Sequence, residues 1–188
     1  MVKIGVDLDG VIAVPTIERV SYQMNEFYSS CVPQLMFPDE ANIIIVTGRK
    51  ITFKDVTVQW LIENRIKYSK IFFNPNVGNR KSKPLLIEHK AGIIKEEGIS
   101  LFIEDDHIIA FKIKSLIPKC EILLYFNNKF YSINLLNSKT FSEMINNGVK
   151  IITRPKTAIK RVELEPEMEI LISYNDNYYT INPVNYNA

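Results

Sequence analysis

At 188 residues, 46% hydrophobic and 23% charged, the chain carries enough apolar material for one globular domain with a small appendage. Its formal net charge of +2 is too small to mark a nucleic-acid or membrane surface by itself, and no apolar run approaches the ~20 residues of a membrane span, so no membrane partner is expected. Two cysteines, Cys31 and Cys120, exclude a disulfide framework and a cysteine metal site; with no secretory signal at the start they point to a thiol-reduced, cytoplasmic protein.

Strand-length apolar runs alternate with stretches of helical period, an α/β signature. The run "VKIGVDL" (2–8) comes first, with the nearly unbroken Val, Ile and Leu content of a parallel strand covered on both faces. Ile17, Val20, Met24 and Phe27 then recur at helical spacing, and "NIIIVT" (42–47) reads as a second strand. Phe53, Val56, Trp60 and Leu61 mark a second helix, with Thr52 and Asp55 placed as a capping box. After a third strand, "KIFF" (70–73), Pro84 fits the first turn of a helix that Gly98 closes. The fourth strand is "SLFIE" (100–104). Ile108, Ala110, Phe111, Ile113 and Leu116 form a fourth helix ended by Pro118, and "EILLYF" (121–126) is the fifth strand. Residues 1–126 are thus expected to form a Rossmann-like parallel sheet with helices on both faces.

Residues 127–188 are expected to form a small β-rich extension. "PKCEILLYFNNKFYSINL" (118–135) and "PEMEILISYNDNYYTINP" (166–183) lie 48 residues apart and share eight identities in 18 positions, each reading as strand, Asn-rich turn, strand. Either a duplication or two convergent hairpins accounts for them. Between them, a helix capped by Ser138 and ended by Gly148 precedes a strand at "VKIIT". Open strand edges and the exposed tyrosines Tyr174, Tyr178 and Tyr179 suit a homodimer contact or a binding platform, unless they close the core.

In such a sheet, ligands gather at the carboxyl ends of the strands. There the first strand offers Asp7 and Asp9, the second Thr47, Gly48 and Arg49, and the fourth Glu104, Asp105 and Asp106; Lys90 lies on the helix leading into the fourth. Carboxylates gathered at one point repel one another unless a hard divalent cation neutralises them. Magnesium, which takes oxygen ligands and shares them with phosphates, suits this set, and the Thr47 hydroxyl and the Lys90 ammonium suit a phosphate.

The segments "DLDGV", "IIIVTGR", Lys90 and "FIEDD", in that order, resemble the four motifs of the haloacid dehalogenase superfamily of phosphatases, over residues 1–126. The resemblance implies Asp7 as the nucleophile that takes the phosphoryl group and Asp9 as general acid and base. It also implies Mg2+ held by the Asp7 carboxylate, the Asp9 carbonyl and Asp105, with Asp106 acting through water. Thr47, the Gly48 backbone and Lys90 would neutralise the phosphoryl oxygens, Gly10 would bring backbone N–H groups to the phosphate, and Arg49 would contact substrate. Lys83 competes with Lys90, Glu104 stands as a structural alternative, and His89 and His107 carry no role.

Only residues 11–46 and 50–89 are available for a lid, so the site is expected to be nearly capless and suited to a large phosphorylated substrate or one enclosed by a partner. A weaker likeness to deoxyribonucleotidases and polynucleotide 3'-phosphatase domains suggests a nucleotide or nucleic-acid end. Arg80, Lys81 and Lys83 in "GNRKSK" would then meet flanking phosphates. The competing reading is a catalytically inert binding module of the same fold, acting through its C-terminal extension.

Overall fold

The structure, a computed structural model, describes residues 2–18, 23–75, 83–137, 139–140, 142–143, 151–152, 170–174 and 177–184. The chain divides into two compact units, Met1–Ile103 and Glu104–Ala188.

Among the described residues, six strands begin in the first unit: β1 (Lys3–Val6), β2 (Ala13–Val14), β3 (Val32–Pro33), β4 (Asn42–Lys50), β5 (Lys70–Asn74) and β6 (Leu101–Glu104). Four of them form a parallel sheet ordered β5-β4-β1-β6, with Gly5 opposite Ile44 on one side and Phe102 on the other. Val6, Ile43, Ile44, Ile45, Val46, Phe102 and Ile103 are all buried, which explains why these runs do not alternate with polar residues. Gly5 is required by close packing: a Cβ there would stand 2.6 Å from Cδ2 of Phe102 and 2.9 Å from Cδ1 of Ile99. In chain order the parallel strands run third, second, first, fourth across the sheet. The winding therefore reverses between β1 and β6, the position at which ligands bind in open sheets of this kind.

Helices α1 (Met24–Ser29), α2 (Lys54–Glu63) and α3 (Lys83–Glu97) flank this sheet. Two details differ from the sequence expectation. The first helix is only six residues long: Ile17 lies outside it, exposed, and Val20 lies outside the described residues. The chain on either side of α1 pairs instead as β2 and β3, with Ala13 opposite Pro33 and Val14 opposite Val32. Pro15 favours this outcome, because a residue before proline is pushed to extended backbone, the conformation Val14 adopts in β2. Nor does the Thr52–Asp55 capping box form. A 3-10 turn at Ile51–Phe53 leads into α2, whose N-cap is Phe53 with no side-chain cap bond. The Phe53 ring instead packs edge-on against Tyr28, centroids 5.1 Å apart, so apolar burial rather than capping sets the start of α2. Helix α3 does carry Pro84 in its first turn, and Gly98 follows it at φ +64°.

The second unit contains α4 (His107–Leu116) and the strands β7 (Glu121–Phe126), β8 (Lys129–Leu136), β9 (Ile151–Ile152), β10 (Ile170–Tyr174) and β11 (Asn177–Val184). Strands β7 and β8 form a hairpin through Asn127 and Asn128, both left-handed (φ +50° and +58°), as a two-residue turn demands and as Asn tolerates. Strands β10 and β11 pair antiparallel, so both sequence segments of the internal echo contain paired strands, and β11 pairs with β8. Of the two roles open to it, Tyr179 takes the core-closing one and is fully buried: its ring stacks on Phe111 of α4 at 4.8 Å and its hydroxyl hydrogen-bonds Ser115. Ser138 and Gly148 lie outside the described residues, as do Arg80 and Lys81. Among the described residues no helix is long and apolar enough to cross a membrane.

Candidate active site

Strand β1 stops at Val6, and Asp7 stands at its carboxyl end, its N–H donating to the Ile103 carbonyl at 2.9 Å. One carboxylate oxygen, Oδ1, accepts from the Leu8 N–H at 2.8 Å; the other, Oδ2, meets Lys90 Nζ at 2.7 Å. Lys90 occupies the buried face of α3 together with Ile87, Ala91 and Ile94, and is itself fully buried. A buried ammonium costs several kcal/mol unless paired, and Asp7 supplies the pair. Lys83, the competing lysine, lies exposed at the start of the same helix.

Beyond Asp7 the chain doubles back. The Leu8 carbonyl accepts from both Ile12 and Ala13 N–H groups, at 3.0 and 2.8 Å, and Gly10 takes φ +84°, a left-handed conformation suited to glycine. The Gly10 N–H donates to the Ala13 carbonyl at 2.9 Å, closing the turn that was expected to bring backbone N–H groups to a phosphate.

This turn gives Asp9 an environment different from that of Asp7. Arg49 Nε donates to both Asp9 oxygens at 3.1 Å, and Nη2 donates to Oδ1 at 2.6 Å. Arg49 in turn is held from several sides: Nη1 donates to Thr57 Oγ1 at 3.2 Å, Nη2 to Cys31 Sγ at 3.6 Å, and the guanidinium carbon lies 4.1 Å from the Tyr28 ring centroid. Burial pushes the Cys31 thiol up, with Arg49 opposing it, so Cys31 meets the guanidinium as a neutral thiol. Trp60 Nε1 fixes the backbone there by donating to the Cys31 carbonyl at 2.7 Å.

The second motif reaches the site through a bulge. The sequence expectation ends the strand at Thr47, yet β4 continues to Lys50: Val46 pairs with Phe72 and Lys50 with Asn74, so Thr47, Gly48 and Arg49 bulge out of register. Bulges re-aim side chains, and here the Thr47 hydroxyl accepts the Arg49 N–H at 3.1 Å while the Arg49 side chain points to Asp9.

At the end of β6 a group of carboxylates forms. One oxygen each of Asp7, Glu104 and Asp105 lies within 4.8 Å of the others. Asp7 and Glu104 are buried. A group of carboxylates with an oxygen-only donor set fits a hard divalent cation. Asp106, expected to act on a metal through water, caps α4, with Oδ1 accepting from Ile108 and Ile109 N–H groups at 2.9 and 3.1 Å. Its own N–H donates to Glu104 Oε1 at 3.2 Å, so it also steadies Glu104. Asp106→Ala should therefore cost about 1 kcal/mol of stability in urea denaturation, within the 0.5–2 range of a lost cap.

The structure thus brings Asp7 to Lys90 and Asp9 to Arg49, and gathers Glu104 with Asp7 and Asp105. The sequence places Glu104 in the acidic group at the end of the fourth strand but as a structural residue, although an acid ending the apolar run "LFIE" also signals a buried carboxylate in want of a counter-charge. The Asp9–Arg49 pair leaves no such local mark.

No protein-family model matches the sequence, and no curated protein matches it. Solved structures do resemble it. A chain of the "Structure of Pnkp1/Rnl/Hen1 complex" aligns with a TM-score of 0.53 at 14% identity, over 66% of this chain and 45% of that one. A chain of the "Structure of the Pnkp1/Rnl/Hen1 RNA repair complex" aligns with a TM-score of 0.48 at 16% identity, over 60% and 39%. This chain spans less than half the length of either. The first likeness is one of fold: the chain is a Rossmann-like α/β protein with an acidic cluster at the reversal of its sheet.

Proposed function

We propose that the protein is a magnesium-dependent phosphatase of the haloacid dehalogenase kind, acting on a nucleotide or nucleic-acid end. The observation that carries this reading is Asp7: a buried carboxylate at the end of β1, 2.7 Å from Lys90 and grouped with Glu104 and Asp105.

Asp7 attacks phosphorus, the ester P–O bond breaks, and the departing oxygen takes a proton from Asp9. The phosphoryl group then rests on Asp7. Water attacks phosphorus, Asp9 takes its proton, the bond to the Asp7 oxygen breaks, and inorganic phosphate leaves with Asp7 again a carboxylate and Asp9 again the protonated acid. Thr47, the Gly48 N–H and Lys90 serve the charge on the phosphoryl oxygens. Magnesium held by Asp7, Asp105 and the Asp9 carbonyl, with Glu104 beside them, would neutralise charge on both phosphate and carboxylates.

The substrate class is inferred from openness and charge. Of the described elements between the motifs, β5 extends the central sheet and α2 and α3 flank it, while β2 and β3 pair as a separate two-stranded sheet around the six-residue α1, which is small for a lid. Lys83 stands exposed seven residues from Lys90, about 10 Å along the helix axis, a place where a neighbouring phosphate of a polymer could lie.

The test is hydrolysis of p-nitrophenyl phosphate with magnesium and then with excess EDTA, followed by a panel of mononucleotides, 3'-phosphorylated oligonucleotides, phosphosugars and phosphoproteins. Metal-dependent turnover with preference for nucleotide esters is expected. Absence of turnover on every substrate with magnesium present would overturn the enzyme reading.

A further inference from the structure

We infer that Arg49 is a positioning residue that sets the orientation of Asp9, rather than a contact to substrate. The catalytic consequence rests on the phosphatase reading; the geometry does not.

A guanidinium has five N–H donors in a rigid plane. In Arg49, Nε and Nη2 fork onto Asp9, Nη2 also reaches Cys31 Sγ, Nη1 reaches Thr57 Oγ1, and one face lies on Tyr28. The residue is 1% exposed, which leaves little of it for a phosphate. Asp9, by contrast, has a side chain 36% exposed. The open member of the pair is therefore the carboxylate, and the buried member is its holder.

The fork also distinguishes the two Asp9 oxygens. Oδ1 takes two N–H groups, at 3.1 and 2.6 Å, whereas Oδ2 takes one at 3.1 Å. Oδ2 is thus the oxygen with room to hold and release a proton while Oδ1 stays clamped. A general acid held in this way keeps its working oxygen aimed, and displacement by about 1 Å can cost about 10²-fold in rate. Tyr28 from α1 and Thr57 from α2 converge on Arg49, and Trp60 of α2 anchors Cys31, so the helical layer beside the sheet fixes the acid through one side chain.

A double-mutant cycle tests this with p-nitrophenyl phosphate and magnesium. Arg49→Ala should lower kcat roughly 10- to 100-fold with KM within about threefold, and Arg49→Lys, which lacks the fork, should recover only part of the loss. Asp9→Asn should lower kcat by ~10²- to 10⁴-fold, and adding Arg49→Ala to it should cost less than about threefold more. A raised KM with kcat intact, or an equal cost of Arg49→Ala in both backgrounds, would overturn the inference. Crystal structures of Arg49→Lys and Arg49→Ala give a reading that needs no turnover: the Asp9 carboxylate should leave its place while the 2.7 Å Asp7–Lys90 contact stays. An unmoved Asp9 would refute the positioning role. If the wild type hydrolyses nothing, the phosphatase reading fails while the crystal structures still decide the role of Arg49. Should Arg49→Ala fail to fold, Arg49→Lys and Thr57→Val carry the same comparison.

Discussion

Asp7→Asn is expected to lower p-nitrophenyl phosphate turnover by roughly 10⁴- to 10⁶-fold, the scale on which enzymes lose activity with their nucleophile. The amide keeps the shape of the carboxylate, and its oxygen can still accept the Leu8 N–H that Oδ1 accepts in the wild type. It lacks the negative charge needed to attack phosphorus, and its amino group would face the Lys90 ammonium where Oδ2 now sits. Two donors then oppose each other in a buried place, a cost of about 1–3 kcal/mol. The chemical and structural losses are separable. Circular dichroism should show a folded variant, while acid quenching with labelled substrate should trap a phosphoryl label on the wild type alone. Turnover within tenfold of wild type would remove Asp7 as the nucleophile.

The parts of this site that could be seen in the sequence are those in which one residue breaks a local pattern. Asp7 ends an apolar strand and so announces an unmet charge requirement within a few residues of chain, whereas Lys90 was marked only by its place on the helix leading into the fourth strand, and its burial beside Ile87, Ala91 and Ile94 comes from the fold. The parallel strands were visible because their apolar runs are unbroken, and the Asn127–Asn128 turn because its residues match the backbone the turn requires. What escaped depends on long-range geometry. Asp9 and Arg49 are forty positions apart, and their meeting turns on a bulge between Val46 and Lys50 that no composition signals. The short α1 escaped because the spacing of Ile17, Val20, Met24 and Phe27 matches a helix while pairing of β2 with β3 takes the chain before it. Glu104 was visible as an acid at a strand end, but its nearness to Asp7 as well as Asp105 is fixed by strand adjacency.

Lys90→Met should be the most destabilising single change at this site in the absence of metal, by about 3–5 kcal/mol in chemical denaturation, the range for removing one member of a buried ion pair. Methionine keeps much of the apolar stem that packs beside Ile87, Ala91 and Ile94, so the lost packing is small and the measured effect reports charge. Without the ammonium, Asp7 stays buried beside Glu104 and Asp105, and three carboxylates face one another with no counter-charge from Lys90. A divalent cation would offset that repulsion. The variant should therefore regain much of its stability in millimolar magnesium, with a larger shift than the wild type shows under the same change. Combining Lys90→Met with Asp7→Asn should recover part of the loss, because the second change removes the charge that the first leaves stranded, and the two costs should fall well short of adding. Equal stability of Lys90→Met and wild type in EDTA would show that the 2.7 Å contact carries no net weight in the fold. Equal magnesium responses of the two proteins would place the cation somewhere other than the Asp7, Glu104 and Asp105 cluster.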